Sequence, residues 1–240
     1  MLELRSIDIG RAKTLYSIDE VTLLPGKLYA LIGANGAGKS TLLDAIALGE
    51  YSSGEIRLNN SSIAGLSLGQ RALLVALVES RFHGSEYLST QEYLDLGRFP
   101  HTGFQGLLND SDKAVVNRVV EQLQLEHLLR QSTVTLSDGE RQRASIARAL
   151  IQETALILLD EPTSFLDYPN KRAIMQLLKT IAHEQQKIIL LASHDLELCL
   201  DYCDECLVIN PESQRLEQYP VAELSLNKLI TKAFGVSSPV

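Results

Sequence analysis

Apolar residues follow two rhythms along this chain. From residue 1 to 26 they alternate, with Leu2 and Leu4, then Ile7 and Ile9, then Val21 and Leu23, as half-buried strands do, and Pro25-Gly26 closes the stretch with a turn. Leu28 to Ile32, Ala155 to Leu159 and Lys187 to Ala192 are instead almost continuously apolar, which predicts strands covered on both faces. Leu74 to Val78 reads as a further strand, and Ser53 to Asn60 as a short one of edge type ending in an Asn59-Asn60 turn. Leu207 to Ile209 and Leu216 to Tyr219 suit a hairpin around Pro211 to Gln214.

Helical spacing appears in between. Leu42, Leu43, Ile46 and Ala47 form a stripe that closes at Gly49, and Ile174, Leu177, Leu178 and Ile181 form another over Pro169 to Gln185. From about Arg81 to Gln152 no buried-strand pattern occurs. A capping box at Ser89 and Glu92 opens a helix predicted to stop at Gly97, and Asp112 to Arg130 carries Val115, Val116, Val119, Val120 and Leu123 on one face. Val221 to Phe234 is expected to be a terminal helix. The pattern predicts an α/β fold with a mainly parallel buried sheet, an antiparallel β layer at the N-terminal side and a helical insert. Its parts are a first core half over 1–80, the insert over 81–152 and a second core half over 153–240.

With 240 residues, 45% of them hydrophobic, the chain can bury a sizeable core, and no apolar run has the length of a bilayer span. MLELRSIDIG lacks the basic-then-apolar layout of a signal peptide, so a cytoplasmic location is expected. A net charge of −8 argues against wholesale nucleic-acid binding. The three cysteines, Cys199, Cys203 and Cys206, are spaced as iron–sulfur ligands can be, but they straddle a predicted helix and strand and are read as packing residues.

The chemistry gathers where apolar strands end. After Ile32 the residues fit G-x-x-x-x-G-K-[ST], with Gly33, Gly38, Lys39 and Ser40 in the fixed places and Thr41 following. Gly33, Gly36 and Gly38 let backbone N–H groups ring a phosphate, Lys39 supplies a point charge, and Ser40 offers a hydroxyl to Mg²⁺ at the positive end of a helix. The strand over 155–159 ends at Asp160-Glu161 and the one over 187–192 at Ser193-His194-Asp195. In open parallel α/β sheets ligands bind beyond the strands' carboxyl ends, so the three clusters are expected to meet at one site. Asp160 is suited to hold Mg²⁺, Glu161 to take a proton from an attacking water and His194 to donate to a γ-phosphate. Leu136 to Leu150 begins with a second capping box, Ser137 and Glu140, with Gly139 in its first turn.

Together these residues resemble the nucleotide-binding subunit of ATP-binding cassette (ABC) transporters over essentially the whole chain. GANGAGKST looks like Walker A, LSDGE like the signature motif, ILLDEP like Walker B, SFLD like the D-loop, and His194 like the switch histidine. The resemblance implies a P-loop NTPase core that hydrolyses ATP with Mg²⁺. It implies nucleotide contacts from Asn35, Ala37 and Thr41 beside the glycines, and an ATP-bound homodimer in which Ser137 and Gly139 of one subunit meet the nucleotide of the other, with Asp167 nearby. Two positions depart from the family. Arg11, or Tyr16, stands where an aromatic residue usually stacks on adenine, and Ser80 stands where a glutamine usually reaches the metal.

Gly97 to Gly103 and FLDYPN resemble importers of ferric siderophores, haem or cobalamin. Such an importer implies a membrane permease docked near residues 81 to 108, an external binding protein as an indirect partner, no nucleic acid, and a place on the inner face of the membrane. A soluble ABC-type ATPase of DNA repair or ribosomes, and an iron–sulfur assembly ATPase, are the rival readings.

Overall fold

In the computed structural model, residues 1–10, 13–51, 53–80, 82, 84–103 and 106–235 are described. The alternating stretch forms an antiparallel pair, β1 (Leu2–Ile9) and β2 (Tyr16–Leu23), with Leu2 opposite Leu23 and Ile7 opposite Ile18. Ser6 takes a left-handed backbone, φ 52°, and across it the inward-facing set passes from Leu2 and Leu4 to Ile7 and Ile9. β3 (Lys27–Ile32) follows the Pro25-Gly26 turn and leads through the glycine loop into α1 (Lys39–Leu48), which Gly49 caps in the left-handed conformation. β4 (Glu55–Leu58), β5 (Ser61–Ser62), α2 (Leu68–Ala72) and β6 (Val75–Val78) complete the first half.

The stretch between β6 and the next strand is helical, but with shorter elements than the periodicity predicts. α3 (Thr90–Asp95) has the expected capping box at Ser89 and ends two residues before Gly97, where the chain tightens into a 3-10 segment, Leu96–His101. α4 (Asp110–Gln122) starts earlier than the sequence suggests, because Asn109 and Asp112 form their own capping box, and ends at Leu123, where Gln124 turns left-handed at φ 55°. Residues Glu126–Leu128 form a separate 3-10 turn. α5 (Asp138–Ile151) then leads into β7 (Leu156–Asp160), α6 (Tyr168–Glu184), β8 (Ile188–Ala192) and α7 (Leu196–Tyr202). β9 (Glu205–Asn210) and β10 (Arg215–Pro220) make the predicted hairpin. The terminal stretch splits into a 3-10 turn, Val221–Glu223, and α8 (Leu226–Phe234), because Ser225 caps a new helix.

Among the described residues the strands join one ten-stranded sheet in the order β5-β4-β1-β2-β10-β9-β3-β8-β7-β6. The N-terminal antiparallel layer is therefore continuous with the buried sheet, through the pairing of Arg215 with Ser17. β9, β3, β8, β7 and β6 run parallel, and their side chains alternate between two cores. Leu28, Ala30 and Ile32 of β3 face the core shared with α4, α5 and α6, whereas Tyr29 and Leu31 face the core shared with α1, β1 and β2. A strand covered on both sides has no polar position to show, which is why its sequence is continuously apolar.

Buried contacts tie the parts of the helical region to one another. Arg98 lies almost fully inside, donates at 2.9 Å to Asp112 and reaches the Ile151 carbonyl and Glu153 carboxylate at 3.0 and 2.8 Å. Beside it, a methyl group on Gly97 would stand 2.6 Å from the Arg148 carbonyl oxygen of α5. Gly97→Ala is accordingly expected to destabilise the protein by about 1–3 kcal/mol through overpacking, read as an earlier thermal melt, while an unshifted melt would show that α3 and α5 separate freely. The three cysteines are free and buried, as packing residues are. Burial pushes the Cys206 thiol up to about 12, far from the thiolate form that ligates metal. Among the described residues no group of three or more His, Cys, Asp and Glu side chains is arranged to hold a metal ion.

Candidate functional site

β3, β8 and β7 are neighbours in the sheet, so their carboxyl ends deliver the glycine loop, His194 and Asp160-Glu161 to the same edge of the molecule. A cavity of about 790 Å³ opens there, lined by Gly33, Ala34, Asn35, Gly36, Gly38, Lys39, Ser40, Thr41, Glu161 and His194, together with Leu15 and Phe234. Gly36 and Gly38 sit at φ 77° and 100°, values that an L side chain rarely adopts. Gly38 caps α1, whose free N–H groups therefore open toward the cavity.

Lys39 is almost fully buried, and its Nζ donates to the carbonyl oxygens of Gly33 at 2.9 Å and Ala34 at 3.2 Å. Burial lowers its pKa, against the opposing pull of Glu161 and Asp160. The next residue, Ser40, donates its hydroxyl to Asp160 Oδ2 at 2.8 Å. Burial raises the Asp160 pKa, and the Ser40 hydrogen bond works against that rise. These hard oxygen donors at one corner of an anion site suit Mg²⁺ and not a soft metal.

Glu161 begins the loop after β7 with its backbone left-handed at φ 47°, and its N–H donates to the Ala192 carbonyl at 3.0 Å. Ser164 donates to Glu161 Oε2 at 2.7 Å, and His194 Nδ1 stands 3.4 Å from the same oxygen. The hydroxyl of Ser164 thus orients the carboxylate, a role that its place in the D-loop-like segment does not announce.

Other expected residues lie elsewhere. Ala37 forms the turn, donating to the Ala34 carbonyl at 3.1 Å, and is absent from the cavity wall. Ser137 and Gly139 sit at the start of α5, where the Ser137 hydroxyl accepts from the Glu140 amide, and Asp167 caps α6; none of the three faces this chain's phosphate loop. Ser80 lines a smaller adjoining cavity of about 260 Å³ with Asp138, Arg141 and Ser164, which meets the first one at Glu161. β6 pairs with β7 with Val78 opposite Leu159, so Ser80 follows at the same sheet edge as Asp160 and Glu161. Arg11 lies outside the described residues. Tyr16 cannot stack on a base: its ring is 1% exposed inside the core, and its hydroxyl donates to the Gly38 carbonyl at 3.4 Å. Leu15, its exposed neighbour, and Phe234, at the far end of the sequence, line the cavity instead, and neither belongs to a motif that could have flagged it.

A phosphate loop between a buried parallel strand and a helix, with two carboxylates at the end of the next strand but one, defines a P-loop nucleotide-binding protein. Residues 17–164 match the family described as ABC transporter, and the chain belongs to that family. Its ATP-binding domain binds and hydrolyses ATP. The chain is 34% identical over 90% of its length to the petrobactin import ATP-binding protein FpuC of Bacillus anthracis, covering 79% of that protein. It is 31% identical over 97% of its length to the achromobactin transport ATP-binding protein CbrD of Dickeya dadantii, covering 87% of it. Among solved structures, an inward-facing ABC transporter described as being of the metal-chelate type superposes with a TM-score of 0.83 at 26% identity, over 98% of this chain and 89% of that one.

Proposed function

We propose that this chain is the ATP-hydrolysing subunit of an importer for ferric siderophores or chemically related metal chelates. The observation that carries the ATPase part is the meeting of Lys39, Ser40, Asp160, Glu161 and His194 at the ends of three adjacent parallel strands. The substrate class is taken from the siderophore-transporting relatives FpuC and CbrD.

In the proposed mechanism the loop amides and the start of α1 hold the phosphates, and Lys39 exchanges its carbonyl partners for phosphate oxygens. Ser40 and Asp160 would hold Mg²⁺, which when bound neutralises charge on the transferring phosphate. Glu161, oriented by Ser164, takes the proton of the attacking water, and His194 donates to the γ-phosphate. Positioning and electrostatics supply most of the acceleration, since phosphoryl transfer asks for little covalent chemistry from the protein.

Ser137 and Gly139 at the start of α5, and Asp167, are absent from the wall of this chain's own phosphate-loop cavity, which suits a head-to-tail homodimer in which they serve the partner's nucleotide. Leu96, Phe99 and Leu107 are exposed apolar residues between 81 and 108, the stretch we assign to the permease. An external binding protein would then be an indirect partner, and the chain would work at the inner face of the membrane. Among the described residues no helix is long and apolar enough to cross it. The iron–sulfur and nucleic-acid rivals gain nothing from the buried cysteines or the acidic charge.

The test is purification from detergent-solubilised membranes. A multi-span permease is expected to accompany the chain, and ATP turnover should rise when the pair is reconstituted with a ferric chelate and its binding protein. Recovery without a membrane partner, with turnover stimulated by nucleic acid, would overturn the importer reading.

A further inference from the structure

The order of the strands around β3 gives the cavity a direction. Glu161 and His194 come from β7 and β8, on one side of β3, whereas Leu15 precedes β2, and α8 packs on β9, both on the other side. A triphosphate in the loop that turns its terminal phosphate toward Glu161 and His194 must carry its base toward Leu15 and Phe234.

That end of the cavity is apolar and open. Phe234 is 36% exposed, although Leu229 and Ala233 of the same helix are fully buried, so α8 is seated by its other face and leaves this ring in the cavity wall. Leu15 is 40% exposed and lies against the end of the phosphate loop, where a methyl group on Gly38 would come within 2.9 Å of its Cδ1. A flat aromatic face beside an aliphatic side chain is what a purine ring stacks on, and stacking of this kind is tolerant of the base's edge groups.

We propose that Phe234 and Leu15 form the seat for the nucleobase, with the purine stacked on the Phe234 ring, so that the C-terminal helix completes the nucleotide site. This rests on the cavity being the ATP site. Binding of ATP and of inorganic tripolyphosphate, which has no base, separates the two ideas. Phe234→Ala is expected to weaken ATP binding by about tenfold or more and to leave tripolyphosphate affinity as in the parent. The chain contains no tryptophan, so Phe234→Trp introduces a single tryptophan, whose emission can be excited apart from that of the tyrosines. It is expected to restore ATP affinity, and its fluorescence should change with ATP but not with tripolyphosphate. ATP affinity unaltered in Phe234→Ala, equal losses for both ligands, or Trp emission indifferent to saturating ATP would each overturn the seat while leaving the phosphate site standing. A parent protein that binds neither ligand would remove both.

Discussion

Glu161→Gln protein is expected to bind ATP as the parent does and to hydrolyse it about 10²- to 10⁴-fold more slowly. Glutamine has nearly the same shape, and its carbonyl oxygen can still accept from Ser164, which donates at 2.7 Å in the parent. What it lacks is the capacity to take a proton from water. Nucleotide contacts should therefore survive while turnover fails, and the ATP-bound dimer should persist. Steady-state phosphate release, with size-exclusion chromatography in ATP, checks both halves. Turnover at the parent rate would exclude Glu161 as the base, and the neighbouring Asp160 would then need testing for that role.

Lys39→Ala is the complementary case, in which binding itself fails. Lys39 is 7% exposed, and its ammonium is held by two loop carbonyls at 2.9 and 3.2 Å. Removing it leaves two acceptors without a donor and deletes the loop's own cation for the outer phosphates. Charge-assisted bonds of this kind contribute about 1.5–3 kcal/mol each, so ATP affinity should fall by at least about 100-fold in isothermal titration. Lys39→Arg keeps the charge but brings a wide planar group into a space shaped for an ammonium, and only partial recovery is expected. Affinity retained by Lys39→Ala would mean that the loop does not bind phosphate.

The phosphate loop and the strands that feed the site were legible because both depend on local pattern. Continuous apolar runs, such as Leu28 to Ile32, mark strands covered on both sides, and their ends mark the binding edge. Helix limits were less legible where a single backbone choice decides them. The end of α4 goes with the left-handed Gln124, and the 3-10 segment after α3 goes with the close packing of Gly97 on α5, neither of which an apolar stripe records. The joining of the N-terminal layer to the buried sheet rests on contacts between β2 and β10, among them Ser17 paired with Arg215, 198 positions apart, and Gln218 donating to the Thr22 carbonyl. Long-range proximity also hid Phe234. The burial of Tyr16 was hidden for a different reason, because an aromatic residue at a strand start reads alike whether it faces core or ligand.

The left-handed backbone at Glu161 has an evolutionary consequence. A non-glycine residue held at φ 47° retains about 1–2 kcal/mol of conformational energy that glycine would release. Drift toward greater heat tolerance would therefore favour loss of the very carboxylate that turnover requires. The acid persists at this position only where selection acts on what the protein does and not merely on how firmly it folds.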